Sequence, residues 1–274
     1  MSTISYSRKG SGEPLVLIHG IGHQRTAWGH TFDLLAEDFD VIAVDLPGFG
    51  TSPKPAKPHS YRMSSYLDQF EEFFADLGLG RPHVAGNSLG GLLALGLAAR
   101  GSVRTATALS PAGFWGPVGL ANAIANLAVL KASTYSPGPV LKLFADKTAL
   151  RKISMGSLYA HPERVDPQTA LDDTYNLRRS PGFFPVAWQV SRARYRDRPV
   201  VPVTIAWGTK DRLLLPSQAV TAREQLPTVG HVSLPDCGHV PMIDNPELVA
   251  GAIVQTIAQA ADRAGDTIGL HAAG

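Results

Sequence analysis

Short apolar runs that end in turn residues recur along the first half of the chain. Leu15–Ile18 is followed by a His-Gly pair, and Val41–Val44 is followed by Asp45 to Gly48. Runs of this length with no polar position are typical of strands buried on both faces, which occur in parallel sheets. Apolar residues recur at helical spacing over 26–37, between the two runs. The sequence therefore predicts a strand, helix, strand unit near its N-terminal end.

The same alternation continues to residue 109 and resumes at residue 203. Further helices are predicted at 64–77, 89–100, 217–225 and 246–261, and further strands at 83–85, 103–109, 203–207 and 231–234. Strands that alternate with helices form parallel sheets covered on both faces. We therefore expect an α/β fold with a mostly parallel central sheet and helices on both of its faces.

The stretch 113–198 interrupts this alternation. It has no convincing buried strand, and prolines separate several helix-like pieces. We interpret it as a helical cap inserted into an α/β core made of residues 1–112 and 199–262. The last stretch, 263–274, is rich in small residues, and we expect it to be a mobile tail.

Composition limits the classes of partner. The 274 residues are 44% hydrophobic and 18% charged, as in ordinary globular proteins, and the formal net charge is only +2. So small a charge argues against a nucleic-acid partner and leaves small molecules as the expected partners. The longest apolar stretches, 89–99 and 120–130, are shorter than the roughly 20 residues of a membrane span. We read both as buried or half-buried helices and expect no stable membrane insertion.

Cysteine use and the first residues bear on localisation. Cys237 is the single cysteine, so no intrachain disulfide can form, which fits a reducing compartment. The stretch 1–9 is polar and lacks the apolar core of a signal peptide. A cytoplasmic protein is the expectation, and the oligomeric state stays open.

The stretch Gly86–Gly91 has the pattern G-x-S-x-G, with Ser88 between a predicted strand and a helix of small residues. A serine on a sharp strand-to-helix turn has an exposed hydroxyl and needs small neighbours. The positive end of the helix dipole also favours negative charge that develops there. We predict that Ser88 is a nucleophile.

A serine hydroxyl needs an imidazole to take its proton and a carboxylate to orient that imidazole. In this motif's structural context the partners follow in the order Asp or Glu, then His, and parallel sheets collect such residues beyond strand ends. Asp211 and His239 follow the predicted strands in this order, and no Asp or Glu lies between residues 86 and 146. Asp236 is read instead as a turn residue and Asp244 as the cap of the last helix.

The loop after the first strand run, His19 to Gly22, is placed to supply a backbone N–H to an oxyanion. We predict the amides of Ile21 and Leu89 as the two donors. His19 and His23 lack acidic or thiol neighbours and flank a glycine-rich turn, so no metal site is predicted. His19 is expected to be structural, as is Cys237. The arginine-rich run 192–198 is read as a solvated face.

These motifs together resemble the α/β-hydrolase superfamily, and the similarity covers nearly the whole chain. The motifs that carry it are His19–Gly22, Asp45–Ser52, Gly86–Gly91, Gly208–Asp211 and Gly238-His239. The family's order implies that Asp45 shapes a turn and takes no part in the triad. Serine at position 88 separates the chain from the branches that attack through a carboxylate, the haloalkane dehalogenases and epoxide hydrolases.

Within the serine branch, the chain resembles carboxylesterases and meta-cleavage product hydrolases. Many of the latter carry an aromatic residue after the histidine, where this chain has Val240-Pro241. We therefore expect a hydrolase that cleaves an ester or related acyl bond of a small, largely apolar substrate through an acyl-enzyme, with no cofactor. Thioesterase, lipase and perhydrolase activities fit the same triad, as does carbon–carbon bond hydrolysis, and a ligand receptor with slow turnover is the alternative of another class.

Aromatic residues of the predicted cap indicate either an apolar substrate pocket or the cap's own core. These residues are Phe114, Trp115, Phe144, Tyr159, Phe183, Phe184 and Trp188.

Overall fold

The computed structural model describes the backbone of residues 4–271 and the side chains of residues 4–260. Within this part of the chain seven strands form one sheet. The strands are β1 (Tyr6–Lys9), β2 (Pro14–Ile18), β3 (Asp40–Val44), β4 (His83–Asn87), β5 (Ala106–Leu109), β6 (Val203–Gly208) and β7 (Gly230–Leu234).

Eleven α-helices accompany these strands in the described residues. They are α1 (Gly29–Leu35), α2 (Met63–Asp76), α3 (Leu89–Arg100), α4 (Pro117–Ser133), α5 (Gly138–Asp146), α6 (Thr148–Met155), α7 (Pro167–Arg179), α8 (Phe183–Arg192), α9 (Ser217–Gln225), α10 (Pro241–Asp244) and α11 (Pro246–His271). Short 3-10 turns lie at Arg25–Trp28 and Pro162–Arg164.

The strand order in the sheet is β1-β3-β2-β4-β5-β6-β7. Only β1 runs antiparallel to its neighbour, and the described strands from β2 to β7 pair in parallel. The chain moves to one side from β2 to β3 and to the other side from β4 onward. Ligands of open parallel sheets bind beyond the carboxyl ends of the strands at such a reversal. The loops after β2 and β4 therefore occupy the place where a site is expected.

The predicted α/β class and mostly parallel sheet are confirmed, and most predicted elements agree with the structure to within a few residues. Strand β1 was missed because Tyr6–Lys9 is an exposed edge with no apolar run. Strand β5 begins at Ala106, three residues later than predicted.

The last helix differs more from the prediction. It continues to His271, whereas the prediction ended it at 261. The predicted tail is therefore helical backbone as far as 271, and residues 272–274 lie outside the described part. The mobility of the tail stays a prediction.

Helices α4 to α8 lie between β5 and β6, in the stretch where the sequence predicted helices without a strand. The buried ammonium group of Lys131 in α4 contacts two of the other helices. Its Nζ donates to the carbonyl oxygens of Leu177 (2.6 Å) and Arg178 (3.1 Å) at the end of α7. It also lies 5.1 Å from the ring centre of Phe183 in α8. One lysine thus joins three of these helices.

The predicted helix at 120–130 is correct, but its burial is only partial. Val118 and Val129 in α4 are 78% and 69% exposed. Among the described residues, no helix combines the length and the apolar character that crossing a membrane requires.

Candidate active site

Ser88 occupies a tight turn between β4 and α3. Its backbone angles, φ 57° and ψ −112°, lie in a region that residues with a side chain rarely adopt. Such a conformation costs about 1–3 kcal/mol and persists where the surrounding structure enforces it. The Ser88 N–H donates to the Leu109 carbonyl in β5 at 2.9 Å, which fixes the turn against the neighbouring strand.

Glycines on both sides of Ser88 make this turn possible. A Cβ atom at Gly86 would lie 2.1 Å from the carbonyl oxygen of Gly90, and one at Gly90 would lie 2.1 Å from the carbonyl oxygen of Ile18. Both contacts are with backbone, which cannot rotate away. The spacing of glycines in the motif therefore follows from the close approach of α3 to β2 and β4.

His239 and Asp211 meet beyond the ends of β7 and β6. His239 Nδ1 lies 2.8 Å from Asp211 Oδ2, and both side chains are buried. Asp211 Oδ1 accepts from the backbone amides of Leu213 (2.9 Å) and Leu214 (2.8 Å). A carboxylate can only accept at this contact, so His239 Nδ1 carries the proton and donates the hydrogen bond, which leaves Nε2 as the ring's proton acceptor.

Asn87 links the turn of Ser88 to the loop of His239. Its Nδ2 donates to the His239 carbonyl at 2.8 Å and to the Leu109 carbonyl at 3.2 Å. The residue before the serine therefore positions the backbone of the histidine. Sequence reasoning missed this function because the two residues are 152 positions apart.

Asp244 fixes the other side of the same loop. Its buried carboxylate accepts from the amides of Gly238 (2.7 Å), Ala160 (3.0 Å) and His161 (2.8 Å). The reading of Asp244 as the cap of the last helix is therefore wrong, since Asn245 Oδ1 accepts from Leu248 in that position. Asp244 instead joins the histidine loop to the segment between α6 and α7.

Ser88 and His239 line one cavity of about 160 Å³, together with Ile21 and Asn87. In the described part of the chain the Ser88 hydroxyl makes no hydrogen bond to the His239 ring. Catalytic hydrogen bonds are often long in unliganded sites and shorten when substrate binds. The structure thus joins His239 to Asp211 directly and places Ser88 on the same cavity wall.

The amides of Ile21 and Leu89 have no acceptor among the residues that the structure describes. Gly20 lies against Ser88, since a Cβ at Gly20 would be 3.2 Å from the Ser88 Cβ. Leu89 is the first residue of α3, where free amides and the helix dipole attract negative charge. Two unpaired donors therefore flank Ser88 from separate segments.

The other two histidines near the site have lowered pKa values. Burial lowers the pKa of His19 to about 4. Its Nδ1 donates to the Gly20 carbonyl at 2.7 Å, and its Nε2 accepts from the Leu46 amide at 2.9 Å. Burial also lowers the pKa of His23 to about 3, with repulsion from His19 and His239 adding to it. Both imidazoles are therefore neutral at neutral pH.

Other singled-out residues have structural surroundings. Burial raises the pKa of the Cys237 thiol to about 12, so the nucleophilic thiolate is scarce. Asp45 pairs with Arg25 and accepts from Thr51, which holds the turn after β3. The described residues contain no group of three or more His, Cys, Asp or Glu side chains able to hold a metal ion.

Two cavities meet at Ser88. The first, here called the α7 cavity, is the 160 Å³ space described above, and Asp173 and Thr174 of α7 contribute to its wall. The second, here called the α8 cavity, has about 250 Å³ and reaches Phe184 and Ala187 of α8.

The seven aromatic residues that the sequence singled out divide between these cavities, the core and the surface. Phe144 and Tyr159 line the α7 cavity, Trp115 and Phe184 line the α8 cavity, and Phe183 lines both. Phe114 instead packs against Tyr195 in the core, and Trp188 lies exposed under Arg192.

The chain belongs to the α/β hydrolase family, whose model matches residues 15–252. It is 27% identical over 243 residues to Lipase 3 of Moraxella sp. (strain TA144), which covers 85% of this chain and 74% of the lipase. Among known structures it is similar to a membrane phospholipase A described as a bacterial virulence factor (25% identity, TM-score 0.73, covering 94% of this chain and 83% of the other).

A second structure is a meta-cleavage product hydrolase from Pseudomonas fluorescens IP01, at 23% identity with a TM-score of 0.73 and 94% of each chain covered. At this identity the likeness shows the fold alone. It agrees with the resemblance seen in the sequence motifs.

Proposed function

We propose that this protein is a serine hydrolase that cleaves an ester of a small, largely apolar substrate through an acyl-enzyme. One observation carries the proposal. Ser88, held at φ 57° on a cavity wall, shares that cavity with His239, whose ring is hydrogen-bonded to the buried carboxylate of Asp211 at 2.8 Å. A hydroxyl, an imidazole and a carboxylate in this relation form the arrangement that activates a serine.

In the first half of the reaction, His239 Nε2 takes the proton of Ser88 while Oγ attacks the acyl carbon. The carbonyl oxygen becomes an oxyanion that accepts hydrogen bonds from the amides of Ile21 and Leu89. The loss of one such donor typically costs about 2.7–4 kcal/mol of transition-state stabilisation. The imidazolium then gives its proton to the leaving alcohol oxygen as the ester bond breaks.

In the second half, His239 takes a proton from water, and the hydroxide oxygen attacks the acyl carbon bound to Ser88. The bond to Ser88 Oγ breaks, the oxygen regains its proton from the imidazolium, and a carboxylic acid leaves. Asp211 stabilises the imidazolium in both halves. Its two backbone hydrogen bonds hold the carboxylate in place without using the oxygen that faces His239.

We further propose that residues 113–198 are a cap over a core of residues 1–112 and 199–262. In support, the core supplies Ser88 and Ile21 to both cavities, while α4 and α8 supply Leu127 and Phe183 to both. Substrate enclosed between the two parts would be shielded from water. The names of the related lipase and phospholipase favour an ester as the bond that is cleaved.

The test compares Ser88→Ala with Ser154→Ala, another serine that lines the α7 cavity. With a short p-nitrophenyl ester, Ser88→Ala is expected to lower kcat by about 10⁴-fold or more. Ser154→Ala should keep kcat within a few-fold of wild type. Circular dichroism and thermal unfolding check that both variants fold. Near wild-type turnover by Ser88→Ala would refute the nucleophile assignment.

A substrate panel then separates the alternatives. Acyl chains of increasing length and one ring-fission dienoate are ranked by kcat/KM. If the dienoate has the highest kcat/KM, carbon–carbon bond hydrolysis replaces ester cleavage as the proposed activity. A single stoichiometric burst with a stable mass shift on Ser88 would indicate a receptor, whereas a steady-state rate supports the enzyme.

A further inference from the structure

The α7 cavity contains a carboxyl group that the proposed reaction does not use. Asp173 lies near the middle of α7, is 8% exposed, and lines the same cavity as Ser88 and His239. A carboxyl group is rarely placed in such a position unless it is paired, because removing its charge from water is costly.

Asp173 has little within the protein to compensate for its burial. Its carboxyl hydrogen-bonds with the side chain of Gln24, a neutral amide, and Asp172 adds repulsion. Burial is the largest influence and raises the pKa of Asp173 to about 7. No cation lowers this value among the described residues.

Arg151 is the buried cation on the wall of the same cavity, but its donors are directed elsewhere. Its guanidinium donates to the carbonyl oxygens of Ala145 and Pro162 and to the hydroxyl of Thr148. Of the other ionisable side chains that line this cavity, His239 is hydrogen-bonded to Asp211. His23, with its lowered pKa, and the phenol of Tyr159, whose pKa is raised by burial, are uncharged at neutral pH. Asp173 is therefore the carboxyl group of this cavity that lacks a charged partner in the described chain.

A purely structural function for Asp173 would not require a carboxyl group. Helix α7 is already attached to the loop after β2 by Asn176, whose Nδ2 donates to the Gly22 carbonyl at 3.0 Å. Asn176 does this with a neutral amide, and an amide at position 173 could likewise bond to Gln24. A carboxyl group at position 173 adds a desolvation cost to folding, and the attachment of α7 does not explain why that cost is present.

The α8 cavity offers a contrast. Among the described residues that line it, side-chain polar atoms come only from the hydroxyls of Ser88 and Ser191 and the indole of Trp115, and all other lining side chains are apolar. A substrate whose reacting carbon lies at Ser88 can extend one arm into each cavity. Only the arm in the α7 cavity meets a buried carboxyl group.

We propose that Asp173 is a specificity determinant that binds a hydrogen-bond donor, a hydroxyl or amine, on the substrate arm that occupies the α7 cavity. The inference rests on the proposed function and names its substrate class: esters with a polar group on one arm and an apolar second arm. A carboxylate accepts from such a donor, and a protonated carboxyl can exchange hydrogen bonds with a hydroxyl. A methyl group in the same place removes water from the carboxyl without offering it a hydrogen bond, and sites built to bind a hydroxyl reject such analogues.

The test measures binding in the Ser88→Ala background, so that it needs no turnover. The probes are matched esters that differ by OH against CH₃ at the chain end, over four to eight carbons. In the first series the probes are methyl esters, and the OH or CH₃ group ends the acyl chain. In the second series they are acetate esters, and the OH or CH₃ group ends the alcohol chain. Each Kd is measured by calorimetry with Asp173 intact, with Asp173→Leu, and with the control Asp172→Leu on the exposed side of α7.

With Asp173 intact, we expect the hydroxyl probe of the best length to bind about tenfold tighter than its methyl partner. Asp173→Leu should bring the ratio to about one, whereas Asp172→Leu, which leaves the Asp173 carboxyl in place, should keep the hydroxyl probe several-fold tighter. Asp173→Ala repeats the comparison if the leucine variant does not fold. A ratio that is the same with and without Asp173, in both series, would overturn the inference.

A second measurement needs no change at position 173. A methyl-ended probe that fills the cavity removes water from the carboxyl, so its binding should weaken as pH rises from 6 to 8. The hydroxyl probe, which donates to the ionised form, should weaken less. Equal pH dependence of the two probes would contradict the inference. Hydrolysis of the probes by Ser88→Ala would instead refute the nucleophile assignment. The comparison of hydroxyl and methyl probes would still test whether Asp173 selects between them.

Discussion

Asp211 and Asp173 are both buried carboxyl groups near the site, but their surroundings differ. Asp211, on the sheet side, accepts two backbone hydrogen bonds and faces the His239 ring. Asp173, in helix α7, has a neutral amide as its partner and a like charge nearby. The sheet side is complete without a ligand, as a group that orients a base must be. Asp173 is left without a charged partner, as suits the specificity determinant that we propose.

The largest expected effect is that of Asp211→Asn on the sheet side. An asparagine keeps the two backbone hydrogen bonds through its oxygen but turns an NH₂ group toward His239 Nδ1. The ring must then accept at Nδ1 and carry its proton on Nε2, where it cannot take the proton of Ser88. We expect kcat to fall by about 10⁴-fold with the fold intact.

Asp236→Asn is the matched control for this change, because Asp236 is an exposed residue in the loop that precedes His239. It pairs with Lys210 and His161 at the surface, and such pairs contribute little. Its kcat should stay within about twofold of wild type. Equal losses in the two variants would mean that Asp211 acts through loop structure rather than through the imidazole.

The next effect concerns the backbone that holds Ser88. Gly90→Ala and Gly251→Ala both place alanine in a helix, which by itself stabilises a helix by about 0.5–1 kcal/mol. At Gly251 a Cβ has no atom within 4 Å, whereas at Gly90 it would lie 2.1 Å from the Ile18 carbonyl oxygen. Gly90→Ala should lose about 3 kcal/mol in urea unfolding, while Gly251→Ala gains slightly. A stable Gly90→Ala protein would show that the close approach is not required.

The smallest effect is that of Asp173→Asn on stability, and its sign depends on pH. Burial raises the pKa of Asp173 to about 7 in the folded protein, above the ordinary value of 3.8 that holds when the chain unfolds. Between pH 4 and 7 unfolding therefore releases a proton, and wild-type stability falls as pH rises through this window.

Asparagine does not titrate, and its neighbours His23, Tyr159 and Asp172 are the same in both proteins. Asp173→Asn should match wild type near pH 4 and exceed it at pH 8 by about 1 kcal/mol or more. Urea unfolding at the two pH values measures the difference. A variant that is less stable at pH 8 would mean that the carboxylate is well compensated in the folded protein.

The local features of the site followed from the sequence, and the contacts between distant segments did not. The turn at Ser88 was predictable because its strand, its glycines and its helix are adjacent in the chain. Asn87 was not recognised as the residue that holds His239, because nothing in its own surroundings indicates a partner 152 positions away. Asp244 was misread for the same reason, since its partners Ala160 and His161 lie between α6 and α7, 84 and 83 positions away.

Helices α4 to α8 show a second limit of prediction from sequence. Their helical character was evident from spacing and prolines, but helix α4 is as apolar on its exposed face as on its buried one. Val129 and Leu127 are two residues apart, yet Val129 is exposed and Leu127 lines both cavities. Hydrophobic periodicity cannot separate such faces, because it depends on a polar side that this helix lacks.

What the sequence by itself determined is the class of fold, the order of its elements and the turn at Ser88. These follow from short-range rules: buried runs for parallel strands, helical spacing, and glycines where backbone must approach backbone. Only the tertiary structure decided which polar groups satisfy each other and which do not. Burial of a carboxyl such as Asp173 becomes costly only when packing removes its water, and the sequence carries no sign of where that happens.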